Sequence, residues 1–187
     1  MMSKKSIGAV VGLYPTPVTV IGTVIDNKVN WINIAHVGVL GLENILVSIN
    51  KNHYSSKGVN VGGFISVNLV QENMLEKADY VGLASAKRVD KSEVFQFTVD
   101  EDTNMPIIND SPLTMICEVV SSFTTGRHEN YILKPVNTLV SEEYLDQKGK
   151  IDFEIMSPIL FDMQMTRYLS VGNEVAKCWN IGKKYME

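Results

Sequence analysis

The sequence predicts a mainly β protein, a closed or half-open barrel with a few short helices. Three observations carry that expectation. β-branched runs separated by turn residues fill the first 70 positions. A second set of extended runs occupies 113–140. Between them only 72–83 carries apolar side chains at helical spacing. Many strands around one or two helices in 187 residues suit a barrel. With no repeat, linker or composition break, a single domain over residues 1–187 is expected.

The elements follow in order. A Lys4-Lys5 pair ahead of the apolar run Ile7 to Leu13 imitates an export signal. Prolines at 15 and 17 break the run, no Ala-x-Ala site follows, and Val18 to Ile25 is β-branched, so strands are expected instead. Asp26-Asn27 reads as a two-residue hairpin turn, after which Lys28 to Val39 resumes as one extended segment. Ile45 to Ile49 is a short strand that stops at Asn50-Lys51-Asn52-His53. Phe64 to Val70 is another, with Phe64, Ser66 and Asn68 on one face. Met74, Leu75, Ala78, Val81 and Gly82 place the helix.

In the second half Leu113 to Phe123 and Tyr131 to Val140 read as strands joined through Thr124-Thr125-Gly126-Arg127. Ser141 to Tyr144 opens a helical turn with acids at its start. From Phe161 the tail reads as irregular, anchored by Tyr168, Val171, Val175 and Trp179.

Composition limits the function. Seventeen Lys and Arg against 21 Asp and Glu give a net charge of −4, which argues against a nucleic-acid-binding surface. No apolar run approaches the roughly 18 residues of a spanning helix, so no membrane segment is expected. Cys117 and Cys178 form no CxxC pair, and each sits in an apolar setting, as small core residues do. A reducing, cytoplasmic location follows most simply.

Familiar catalytic patterns are missing. His36, His53 and His128 show no HxxxH or HExxH spacing, so no local metal site is expected. No GxSxG or GxxxxGK[ST] occurs, and Gly58-x-x-x-Gly62-Gly63 does not open a βαβ unit. Three segments remain. In 30–38, small Ala35 and Gly38 would let a flat ligand approach the backbone, although an edge strand reads the same way. In 48–57, hydroxyls, amides and two lysines suit a phosphate or a solvated loop. In 126–131, His128 beside Arg127 suits a proton donor, an anion contact or a surface histidine.

Taken in order, these segments resemble the flavin reductase-like FMN-binding family, near its flavoredoxin branch. Tyr14-Pro15-x-Pro17-Val18-x-Val20-Ile21-Gly22-Thr23 is similar to the family's opening, and Asn30 to Ala35 to its flavin-lining segment. Lys51-x-His53-Tyr54-Ser55 resembles the phosphate loop, and Phe64-x-Ser66-Val67-Asn68 the "FSVN" strand. Asp79-Tyr80-x-Gly82-x-x-Ser85 with Asp90-Lys91, Gly126-x-His128, and Tyr168-x-x-x-Gly172 with Gly182-Lys183 continue the series. Asn33 and Ser55 stand where Thr is usual, and His36 where an aromatic residue is common.

The resemblance implies an FMN-binding split β-barrel and a homodimer with FMN near the subunit interface. It implies that Asn33, Ile34, Ala35 and His36 border the flavin ring, and that Ser48, Asn50, Lys51 and Ser55 hold the ribityl chain and phosphate. His128 is then the catalytic candidate, touching nicotinamide or substrate. The implied function is that of an oxidoreductase, an NAD(P)H-dependent flavin reductase or a flavoredoxin-like electron carrier. The alternatives are an FMN-binding carrier or sensor without catalysis, and a barrel that binds some other anion.

Overall fold

The computed structural model describes residues 3–186. Its strands, in chain order, are β1 (Thr16–Pro17), β2 (Thr19–Ile25), β3 (Lys28–Ile34), β4 (Val37–Leu40) and β5 (Asn44–Asn50). They continue as β6 (Phe64–Leu69), β7 (Phe97–Val99), β8 (Pro106–Ile108), β9 (Leu113–Thr125) and β10 (His128–Val140), and end with β11 (Leu160–Asp162) and β12 (Arg167–Leu169). Helix α1 covers Leu75–Leu83 and the single turn α2 Phe153–Met156.

Seven strands make one curled antiparallel sheet in the order β3-β2-β6-β9-β10-β5-β4. The mainly β expectation holds, and the sheet is the half-barrel of a split barrel. Period-two alternation builds its two faces. Along β2 and β3, Ile21, Ile32 and Ile34 point into the barrel with Val47, Val67 and Leu133. Val20 and Trp31 point the other way, where α1 covers the sheet with Ala78 and Val81, joined by Met74 just before the helix. Trp31 is fully buried there, edge-on to Phe95 and Phe97 at 5.6 and 5.8 Å between centroids. Such aromatic pairs each add about 0.5–1.5 kcal/mol beyond the area they bury.

The Asp26-Asn27 turn forms as expected, with φ of 51° and 61° at its two residues. That is the twist a two-residue hairpin requires. Ser66 and Asn68 do share a face, and they organise the covering layer. Asn68 Nδ2 donates to Val20 O at 2.9 Å, and its Oδ1 accepts from Ile108 N and Thr114 Oγ1. Every polar atom of this buried amide is partnered, so burying it costs little.

Four expectations change. The extended segment 28–39 breaks at Ala35-His36, where the chain leaves β2 and turns to pair with β5. Thr16 Oγ1 takes the freed Ala35 carbonyl at 2.7 Å. The tail from 161 is not irregular throughout: β11 and β12 pair with each other, and β11 with β1. Their three-residue pairing is too short for alternation to reveal. Val175 and Trp179 do not anchor the tail but lie 97% exposed, and Cys178 is exposed while Cys117 is buried. Residues 7–13 form no strand and expose Ile7 and Leu13, because no neighbouring strand offers them a ladder.

Candidate functional site

The break between β3 and β4 creates the site. Where the chain crosses from one part of the sheet to the other, Asn33, Ile34, Ala35 and His36 line a cavity of about 280 Å³. Ser48 and Asn50 enter from β5, and His128 from the first position of β10. Register explains their convergence: His128 pairs with Asn50, and Asn130 with Ser48. The ladder runs on past β4, with Ser48 N donating to His36 O at 2.9 Å. The Ile34 side chain is buried, so that residue offers the cavity chiefly its backbone.

Besides the buried Val18, four wall residues fall outside the sequence-derived set. Phe161 and Tyr168 come from β11 and β12, and Gly82 from the last turn of α1. At Gly82 the helix comes close to the strand: a Cβ there would lie 3.1 Å from Asn33 Cβ. Tyr168 Oη donates to Asp79 Oδ1 at 2.6 Å, tying β12 to α1. Burial and that carboxylate push its phenol up to about 12, so it stays protonated. The Gly82 and Tyr168 motifs are visible in the sequence, but only the packing of α1 on β3 carries them to the cavity. The fourth is His53, which completes a convergence that sequence spacing conceals. All three histidines of the chain line this one cavity.

The histidine rings are poised but differ in their surroundings. His36 and His128 stand edge to face, 5.9 Å between centroids, and His36 Nε2 lies 3.1 Å from Tyr14 Oη. Burial, then the neighbouring His128, holds the pKa of His36 below its ordinary value. His53 is lowered as well, by burial and then by the charges of Lys91 and His128. Among the described residues no group of three or more His, Cys, Asp and Glu side chains is placed to hold a metal ion.

Lys51 lines a different cavity, of about 400 Å³, together with His53, Lys57 and Lys87. His53 belongs to both walls, so a charge-free cavity and a basic one meet at its ring. Of the two hydroxyls at 55 and 56, the structure puts Ser56 on the basic cavity. Ser55 lies beneath it, buried and accepting from Asn30 Nδ2 at 2.8 Å. The loop itself is held by Ser56 Oγ on Asn50 O and by Lys51 N on Arg127 O.

Lys91 supports the rear of the site. Its ammonium is buried and donates to Val81 O and Ala84 O at 2.9 and 3.2 Å, closing the C-terminal end of α1. A cation suits a helix C-terminus. Burial lowers its pKa to about 8.

The same architecture is found in solved structures. Flavoredoxin from Methanosarcina acetivorans superposes with a TM-score of 0.92 at 30% identity, covering 99% of this chain and 100% of that one. Flavoredoxin of Desulfovibrio vulgaris (Miyazaki F) follows at 0.87 and 25%, covering 96% and 100%. A split barrel domain from Shewanella frigidimarina, at 18% identity and a TM-score of 0.76, covers 87% and 85% and shares the fold. No curated protein matches the chain. The flavin reductase like domain matches over residues 11–167, which take in every residue lining the 280 Å³ cavity except Tyr168. The chain belongs to the flavin reductase-like domain family.

Proposed function

We propose that this protein binds FMN in the paired cavities and acts as an oxidoreductase, taking electrons from NAD(P)H and passing them onward. The junction at His53 carries the reading. A ligand with an uncharged ring system and a phosphate needs a charge-free wall joined to a basic one, and both are present within one span. No Lys, Arg, Asp or Glu lines the first cavity, whereas Lys51, Lys57 and Lys87 line the second and outnumber its one carboxylate, Glu129. FMN, when bound, supplies the electron-accepting chemistry, and the protein supplies orientation and a dry pocket.

Within that reading each residue has a task. Asn33, Ile34, Ala35 and His36 border the ring, mainly through backbone groups. Ser48 and Asn50 face the ribityl chain. Lys51 holds the phosphate with Ser56, while Ser55 steadies Asn30 behind the loop. His128 contacts the nicotinamide or the acceptor. The protein works as a homodimer, since Leu13, Val39 and Leu42 lie exposed in an otherwise well-packed β protein. Cys117 and Cys178, both free, fit a reducing cytoplasm.

Absorption of the purified protein in the visible range tests the assignment. Yellow protein, or colourless protein that takes up added FMN, is expected; failure to bind FMN would overturn it. Lys51→Ala should weaken FMN binding about tenfold, the value of one charge-assisted contact. Consumption of NADH or NADPH by the loaded protein then reports catalysis, and none with either nucleotide would make it a carrier.

A further inference from the structure

Behind the β11 and β12 hairpin lies a further cavity, of about 470 Å³. Asn33, Gly82, Phe161 and Tyr168 wall both it and the 280 Å³ cavity. Its own residues are Asp79 and Leu83 of α1, Arg167 of β12 and Thr166 just before that strand. One carboxylate and one guanidinium therefore line the same space, and among the described residues no ion pair joins them.

Each is held by a different neighbour, in a way that leaves part of it free. Asp79 Oδ1 accepts from Tyr168 Oη at 2.6 Å, and among the described residues Asp79 Oδ2 has no donor. Arg167 Nε donates to Asp162 Oδ2 at 3.0 Å, which uses one of the five guanidinium N–H groups. Asp162 Oδ1 is taken up by the backbone amides of Gln164 and Met165 at the hairpin turn, and Asp162 does not line the cavity. Anchored at Nε, Arg167 keeps both Nη groups, a fork that takes a carboxylate in two parallel hydrogen bonds. Leu83 and the Phe161 and Tyr168 rings, 6.0 Å apart at their centroids, supply the apolar part of the wall.

We propose that this cavity binds a small zwitterion of the α-amino acid type. Its ammonium pairs with Asp79, its carboxylate with Arg167, and its apolar side chain lies against Leu83 and Phe161. The site stands on residues of its own and does not rest on the flavin reading. A ligand of single charge gains one pairing and brings that charge beside a like charge in the same wall. A zwitterion satisfies both groups, so the wall selects against either half alone.

Three probes separate the two charges: L-phenylalanine, phenethylamine, which lacks the carboxylate, and 3-phenylpropionate, which lacks the ammonium. Each is titrated into the full chain near neutral pH, with and without FMN, and followed by amide NMR. L-phenylalanine should bind about fivefold more tightly than either analogue, with the Leu83 and Thr166 amides shifting. In Arg167→Gln its affinity should fall about fivefold while that of phenethylamine does not fall. In Asp79→Asn it should again fall about fivefold, and 3-phenylpropionate should bind no more weakly than before. If Asp79→Asn does not fold, judged by circular dichroism, Arg167→Gln and the native chain carry the same comparison. Equal binding of the three probes, an affinity for L-phenylalanine unchanged in the variants, or unmoved Leu83 and Thr166 amides at saturation would overturn the proposal. So would competition between L-phenylalanine and FMN, since the two cavities are to be filled together. A chain that selects L-phenylalanine but takes up no FMN would instead overturn the flavin reading alone.

Discussion

Lys91 shows how one residue serves both stability and site. Its ammonium satisfies two carbonyls at the end of α1, the turn that delivers Gly82 to the cavity. Lys91→Ala should lower stability by about 1–3 kcal/mol in chemical denaturation, because buried carbonyls would lose their donor. Its pKa falls from 10.5 unfolded to about 8 folded, so the unfolded chain binds more protons between those values. Its contribution to stability therefore rises with pH through that window and is lost as pH falls towards 8. A stability profile of Lys91→Met should be flatter between pH 8 and 10.5 than that of the native protein. His36 follows the same sign lower down: its depressed pKa adds stability as pH rises towards 6.5. Asn33, Ala35 and His36 are legible as candidates in the sequence because polar and small residues interrupt a β-branched run. Ser55 and Ser56 are not distinguishable there, since adjacent hydroxyls differ only in where the short helix at 54–58 turns them.

Among the elements, close approach decides what each position tolerates. Gly22 of β2 faces Trp31 of β3, and a Cβ there would stand 2.6 Å from the indole and closer still to Ser66 Oγ. Gly22→Val should cost about 1–3 kcal/mol through overpacking, measured as a fall in Tm, and should disturb the Trp31 fluorescence. The β11 and β12 hairpin is held to α1 by the Tyr168 and Asp79 bond. Tyr168→Phe keeps the ring packing but leaves the carboxylate short of a donor, so a loss of about 1–2 kcal/mol is expected. FMN affinity should drop with it if this hairpin closes the flavin cavity, and calorimetric titration would show that drop. The long strands and α1 were readable from periodicity and turn residues. β7, β8, β11 and β12 were not, because three-residue strands carry no period and owe their existence to the neighbours that pair with them.

At the scale of the molecule, apolar side chains are left outside the core. Val39 and Leu42 sit at one end of the sheet, and Trp179 and Val175 on the tail. A homodimer that covers this surface would bury about 800 Å² on each subunit. Light scattering should return twice the mass of the chain, and Leu42→Asp should shift the population towards monomer. The net charge of −4 adds a constraint, since the surface as a whole does not attract an anionic ligand. Any phosphate must be held by the local lysines at 51, 57 and 87.

The sequence by itself determined the β class, the Asp26-Asn27 hairpin and the helix. These depend on side-chain alternation and turn chemistry, which are local. Tertiary structure alone decided that His36, His53 and His128 share one cavity, that Lys91 is buried, and that the strand breaks at Ala35-His36. Those outcomes depend on the register of β5 with β10 and on α1 packing against β3, contacts between positions far apart in the chain.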